Sequence, residues 1–195
     1  MEIEDTTWKA GGTTDHALLA ELPAELQAII GPSGGFILHH GAIHFRGCVA
    51  EPEWNSLRAA WQGETSLASL YPVIGAADIP FAQDQMGDQY LLRGETVLRL
   101  DAETGELAPF AESLLKFMEG IGNDIQEYLN VGLAHELEPG KGLLAYPPFC
   151  MKESGEDNAT LNPVPVSELI LFHADLARQI ANLPEGGQVE FRVTH

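Results

Sequence analysis

Ile79-Pro80-Phe81-Ala82-Gln83-Asp84, followed across a turn by Gly87-Asp88-Gln89-Tyr90-Leu91-Leu92, carries the architecture of the chain. Branched and aromatic residues bounded by Gly, Pro and Asp read as two extended segments with a tight connection. Pro80 and Phe81 set an extended segment and fill the core, Gly87 permits the turn, and Asp88 is placed to accept hydrogen bonds from the turn amides. A third run, Thr96-Val97-Leu98-Arg99-Leu100, follows Arg93-Gly94-Glu95, which reads as a hairpin turn. Val73-Ile74 reads as a further short extended piece.

Upstream, Phe36-Ile37-Leu38-His39-His40-Gly41-Ala42-Ile43-His44-Phe45 predicts a strand, a bend at Gly41 and a second strand, with Gly34-Gly35 as the preceding turn. Asp15 is a suitable N-cap for a helix burying Leu18, Leu19 and Leu22. Pro23 suits the first position of a second helix that turns Leu26, Ile29 and Ile30 inward. Trp54, Leu57 and Trp61, at i, i+3 and i+7, predict one helical stripe, and a short helix covers 65–71. Residues 1–14 read as an N-terminal tail.

Downstream, 101–105 is a polar loop and Pro109 opens a helix burying Phe110, Leu114, Phe117 and Met118. A helix over 124–129, a proline-interrupted stretch at Tyr146-Pro147-Pro148-Phe149 and an exposed loop at 155–158 follow. Ser167 then caps a helix through Leu183 carrying Leu169, Phe172, Leu176 and Ile180 at helical spacing, and 188–193 alternates as an edge strand. Strands interleaved with helices and joined by hairpin-type turns favour an α+β fold, a mostly antiparallel sheet flanked by helices with a helical C-terminal extension. The expected organisation is a tail at 1–14, a core at 15–120, and an extension at 121–195 packed on the same domain.

The chain has 195 residues, 45% of them hydrophobic and 20% charged, enough apolar surface to offset the entropy of ordering one core. Ten Lys and Arg against 29 Asp and Glu give a net charge of −19. Such a surface cannot release counterions from phosphates, which argues against nucleic acid or an anionic membrane as partner and favours a basic protein. Solubility alone also accounts for an acidic surface. No basic-then-apolar leader and no long uncharged apolar run is present, so a cytoplasmic location is expected. Cys48 and Cys150 stand far apart and read as reduced, buried thiols.

Chemistry-bearing patterns are sparse. His39 and His40, as strand neighbours, face opposite ways; His40 and His44 could share a face, but no Cys or carboxylate lies close in sequence, and no metal site is expected. His135-Glu136 lacks the second histidine of a zinc-protease helix, and Pro139-Gly140-Lys141-Gly142 lacks the spacing and the Ser or Thr of a phosphate loop. Asp84 and Asp88 bracket a turn without the rhythm of a calcium loop. Neither cysteine has the context of a nucleophile, so no cofactor and no catalysis are expected.

Three ordered pieces resemble the SUKH superfamily, which contains the fungal cell-wall regulator Knr and many bacterial toxin-immunity proteins. Leu22-Pro23, a helix and Gly34-Gly35-Phe36 resemble its opening; Ile79-Pro80-Phe81 to Asp84 with Gly87-Asp88-Gln89-Tyr90-Leu91 resembles its signature. Val97 to Asp101, then Ala108-Pro109-Phe110 into a helix ending near Met118, is similar to its closing strand and helix. The resemblance spans 22–118; residues after Gly120 lie outside it, and 54–71 is an elaboration of the usual spacing. It marks Pro23, Gly34, Gly35, Pro80, Phe81, Gly87, Asp88 and Pro109 as structural motif residues.

The resemblance implies a non-enzymatic protein-binding domain, an immunity protein that occludes a cognate toxin. A nuclease toxin has the basic surface an acidic inhibitor covers, although the resemblance leaves the toxin class open. The alternatives are a regulatory or scaffolding domain binding an endogenous protein, and an enzyme or small-ligand binder with a polar pocket near His40, His44 or Asp84. Glu51, Glu53, Trp54, Glu64, Asp84 and Asp88 are the candidates for the partner surface.

Overall fold

Seven strands pair in chain order in the computed structural model, which describes residues 5–133, 136–152, 154, 159–181 and 183. They are β1 (Thr6–Lys9), β2 (Phe36–Leu38), β3 (Ile43–Phe45), β4 (Ile79–Asp84), β5 (Gln89–Arg93), β6 (Thr96–Leu100) and β7 (Leu107–Ala111). Every neighbouring pair is antiparallel. The α+β class expected from the sequence is therefore the class the chain adopts. The expected loop at 155–158 and strand at 188–193, and His135, lie outside the described residues.

Helices cover both faces of this meander. On the first face pack α1 (His16–Glu21), α2 (Ala24–Ile30) and α5 (Leu114–Leu129), the last burying Leu114, Phe117, Ile121, Ile125 and Leu129 along one stripe. Phe81 and Phe117 meet edge to face at 5.4 Å at the centre of this core. The second face, with Leu91 and Leu100, is covered by α4 (Leu67–Leu70) and α6 (Val166–Ala181) through Leu67, Tyr71, Ala174 and Ala177. On the first core α3 (Leu57–Gln62), capped by Ser56, packs through Leu57 and Trp61. The C-terminal region is not wholly helical: β8 (Lys141–Tyr146) and β9 (Thr160–Pro165) form a separate hairpin that leads into α6.

Several local expectations are corrected. Residues 6–9 are not a tail but an edge strand, held because β2 offers it a free edge. Pro109 lies in β7 rather than opening a helix; as the outermost strand, β7 tolerates a residue with no N–H to donate, and α5 starts beyond it under the Ser113 cap. Trp54 and Trp61 do not share a stripe, because Ser56 is extended (φ −74°, ψ 114°) and separates a 3-10 turn at Glu53–Asn55 from α3. Val73-Ile74 is a turn. Pro23 stands just outside α2 as its N-cap, and Ser167 sits inside the first turn of α6 rather than before it. Cys48 is buried as expected, while Cys150 is exposed.

Candidate functional site

The second face of the sheet carries a row of polar side chains. Register pairs His44 with Gln83 and Gln83 with Gln89, so β3, β4 and β5 place these three side by side, and the period of two puts Arg46 on the same face as His44. All four are buried. Arg46 Nη2 donates to Gln83 Oε1 at 2.6 Å and to Gln89 Oε1 at 2.7 Å, and its Nη1 donates to the carbonyl of Pro80 at 2.9 Å. His44 Nε2 donates to Asn55 Oδ1 at 2.8 Å, with Gln83 Nε2 facing its Nδ1, so the ring is neutral. Burial, the Arg46 charge and the low dielectric hold His44 down at about 3.

This chain of hydrogen bonds ties the glycine motifs together. Asn55 Nδ2 donates to the Gly34 carbonyl, and Gln89 Nε2 donates to the Gly87 carbonyl. Gly35 (φ 102°) lies so close to Asn55 that any Cβ would collide with the amide oxygen. Gly87 (φ 92°) lies under α6, where a Cβ would press on Leu169 and on His173 at 3.1 Å.

Arg46 has no carboxylate partner among the described residues, and burial pushes its guanidinium down to about 9, which leaves it charged at neutral pH. It lines a cavity of about 300 Å³ between α3, α4 and α6. Leu67, Leu70, Ile170 and Leu171 form apolar walls, Ser167 adds a hydroxyl, and Glu53 and Trp54 stand at the margin. Trp54 also stacks obliquely on His44 at 5.0 Å and on Trp8 at 4.9 Å.

The structure divides the expected partner residues. Glu51, Glu53 and Glu64 are exposed and Trp54 is half-buried; Glu53 and Trp54 share the cavity lining with Thr65, the neighbour of Glu64. Asp84 and Asp88, by contrast, are buried and their carboxylates are used internally. Asp84, not Asp88, holds the turn: its Oδ1 accepts from the amides of Met86 and Asp88, and its Oδ2 accepts from the Tyr90 hydroxyl. Asp88 pairs with Arg99 and accepts from the Ala102 amide. Burial first, and then the Asp88 charge, push Asp84 above the usual carboxylate range.

The histidines are also placed differently from the strand reading. His39 and His40 lie in a 3-10 turn with left-handed φ of 47° and 54°; His40 is exposed and His44 buried, so they share no site. Among the described residues no group of three or more His, Cys, Asp or Glu could hold a metal ion, and no helix is long and apolar enough to cross a membrane. Sequence reasoning missed Arg46, Asn55, Gln83 and Gln89. Polar residues inside otherwise apolar strands, and Arg46 two places after His44, were the available signal.

No family model and no curated protein matches this chain. The geometry is that of an internal polar row beneath a partly open cavity, with Glu53 exposed at its margin. Nothing in the row has the relation of nucleophile and base, since His44 spends both ring nitrogens on Asn55 and Gln83.

Proposed function

We propose that this chain is a non-enzymatic binding protein of SUKH type, an immunity protein that recognises a cognate toxin and occludes it. The observation that carries the reading is the net charge of −19, together with the exposure of Glu51, Glu53 and Glu64, of which Glu53 stands beside the half-buried Trp54 at the cavity margin. Exposed carboxylates steer a basic partner, and a fixed indole beside one of them supplies apolar contact. The ordered Leu22-Pro23, Gly34-Gly35, Ile79-Pro80-Phe81 and Gly87-Asp88 pieces support the family. The proposed site of action is the cytoplasm. A nuclease is the toxin class that best suits the charge.

The test is capture from native cells with tagged protein at low salt, elution in a salt gradient, and co-expression with the toxin encoded beside it. A toxin-like partner released by salt, with survival of the co-expressing cells, supports the reading. Capture of a housekeeping complex moves it to the regulatory alternative. In a matched variant, Glu51, Glu53 and Glu64 all changed to Gln should slow association by about tenfold or more at low salt and much less at high salt. An unchanged salt dependence would remove the acidic face from the mechanism.

A further inference from the structure

A desolvated cation without a counter-anion lies on the wall of an open cavity. Arg46 is only 1% exposed, and its Nη1 and Nη2 donate to Pro80, Ala82, Gln83 and Gln89, all neutral acceptors. Its Nε donates to nothing among the described residues. Four neutral oxygens orient the guanidinium, but they do not cancel its charge, and buried charges are ordinarily paired. The first turn of α6, at Val166 and Ser167, lines the same cavity; the Val166 amide donates to the Gly140 carbonyl at 2.9 Å, and the first-turn amides that follow it have no acceptor within their helix. The positive end of a 16-residue helix and an unpaired guanidinium thus face one space. The other walls are apolar.

We propose that this cavity binds a small monocarboxylate, with its carboxylate at Arg46 and the opening of α6, and its hydrocarbon body against Leu67, Leu70 and Ile170. The choice of carboxylate over phosphate follows from the donor count. Both Nη groups are already committed to Gln83, Gln89 and backbone carbonyls, so the guanidinium has one free N–H and not the fork that recognises a phosphate dianion. Glu53 at the exposed margin repels a second negative charge, while its influence on a single charge at the buried Arg46 is screened by water. A cavity of about 300 Å³ lies at the small end of ligand pockets, which suits a short-chain carboxylate. Trp54 on the lining reports its arrival.

This inference does not rest on the toxin reading, and its test uses the purified chain alone. Octanoate and 1-octanol are titrated into the protein by calorimetry and by tryptophan fluorescence. Octanoate should bind saturably at one per chain, with 1-octanol weaker by about tenfold or more, the worth of one charge-assisted contact. Ala60→Phe, which places a ring in the cavity from α3, should weaken octanoate by about tenfold or more while far-ultraviolet circular dichroism stays unchanged. Arg46→Met should bring octanoate down to the level of 1-octanol. Where either variant does not fold, the two ligands on the native chain decide. No saturable octanoate binding at millimolar concentration, equal affinity for the alcohol, or full binding by folded Ala60→Phe would each overturn the proposal. Toxin capture can fail while octanoate binds, and the reverse, so the two readings fall separately.

Discussion

Asp84 accepts three hydrogen bonds from within a turn that Gly87 makes possible, and it does so entirely out of water. Asp84→Ala leaves two amides and a hydroxyl without an acceptor and should cost about 2–4 kcal/mol in urea unfolding. Asp84→Asn keeps the Oδ1 acceptor and offers an N–H to the Tyr90 oxygen, so its cost should stay within about 1 kcal/mol. Because the folded-state pKa of Asp84 is raised, its contribution is greatest at low pH and is lost as pH rises from ~4, where the unfolded carboxyl titrates. Asp84→Asn should remove that decline. His44 and His173 act in the opposite sense. Burial depresses them to about 3 and about 4, so the unfolded chain takes up protons below pH ~6.5 that the folded chain refuses. Stability should fall as pH drops from ~6.5, by at most about 2 kcal/mol per residue at pH ~5. His173 has neither ring nitrogen hydrogen-bonded among the described residues. His173→Leu should therefore raise stability by about 1 kcal/mol at pH ~7 and by more at pH ~5, read from urea midpoints; a loss at both would assign the ring a partner.

At the scale of elements, α5 is two helical segments on one apolar stripe. Asp124 leaves helical geometry (φ −158°, ψ 96°), and its side chain accepts from the Glu127 amide at 3.0 Å, recapping the second segment, which Asn130 closes in the left-handed conformation. Asp124→Ala should cost about 1 kcal/mol and speed amide exchange over 125–129 while leaving 114–120 protected. Uniform exchange across α5 would show that the break is not an energetic boundary. The separate segment at 124–129 was legible in the sequence, and so was the burial of Leu114 and Phe117, because both depend on local spacing. The start of α5 was not. Pro109 has the dihedral of a helical first residue and of a strand alike, and only the free edge of β6 settles which it adopts. Trp54 was misplaced for a related reason: one extended residue, Ser56, resets the helical phase without changing the spacing of the indoles.

Across the whole molecule, a net charge of −19 sets two opposite responses to salt. Self-repulsion weakens as the Debye length falls from ~30 Å at 0.01 M to ~3 Å at 1 M, so the melting temperature of the free chain should rise over that range. Affinity for a basic partner should fall over the same range. A melting temperature that falls with salt would mean that the ion pairs Asp78–Arg93 and Asp88–Arg99 outweigh the repulsion.

The sequence by itself determined the α+β class, the two hairpins around 79–100, the inward faces of α1 and α2, and the excess negative charge, all of which follow from composition and short-range periodicity. Only the tertiary structure decided that Asp84 and Asp88 are interior, that Arg46, Gln83 and Gln89 form one row, and that Trp54 closes over His44. Strand register joins residues tens of positions apart, and burial depends on which helix covers which face. Neither quantity is carried by neighbours in the chain, so the cavity beside Arg46 exists only once α6 has packed across a sheet formed far upstream.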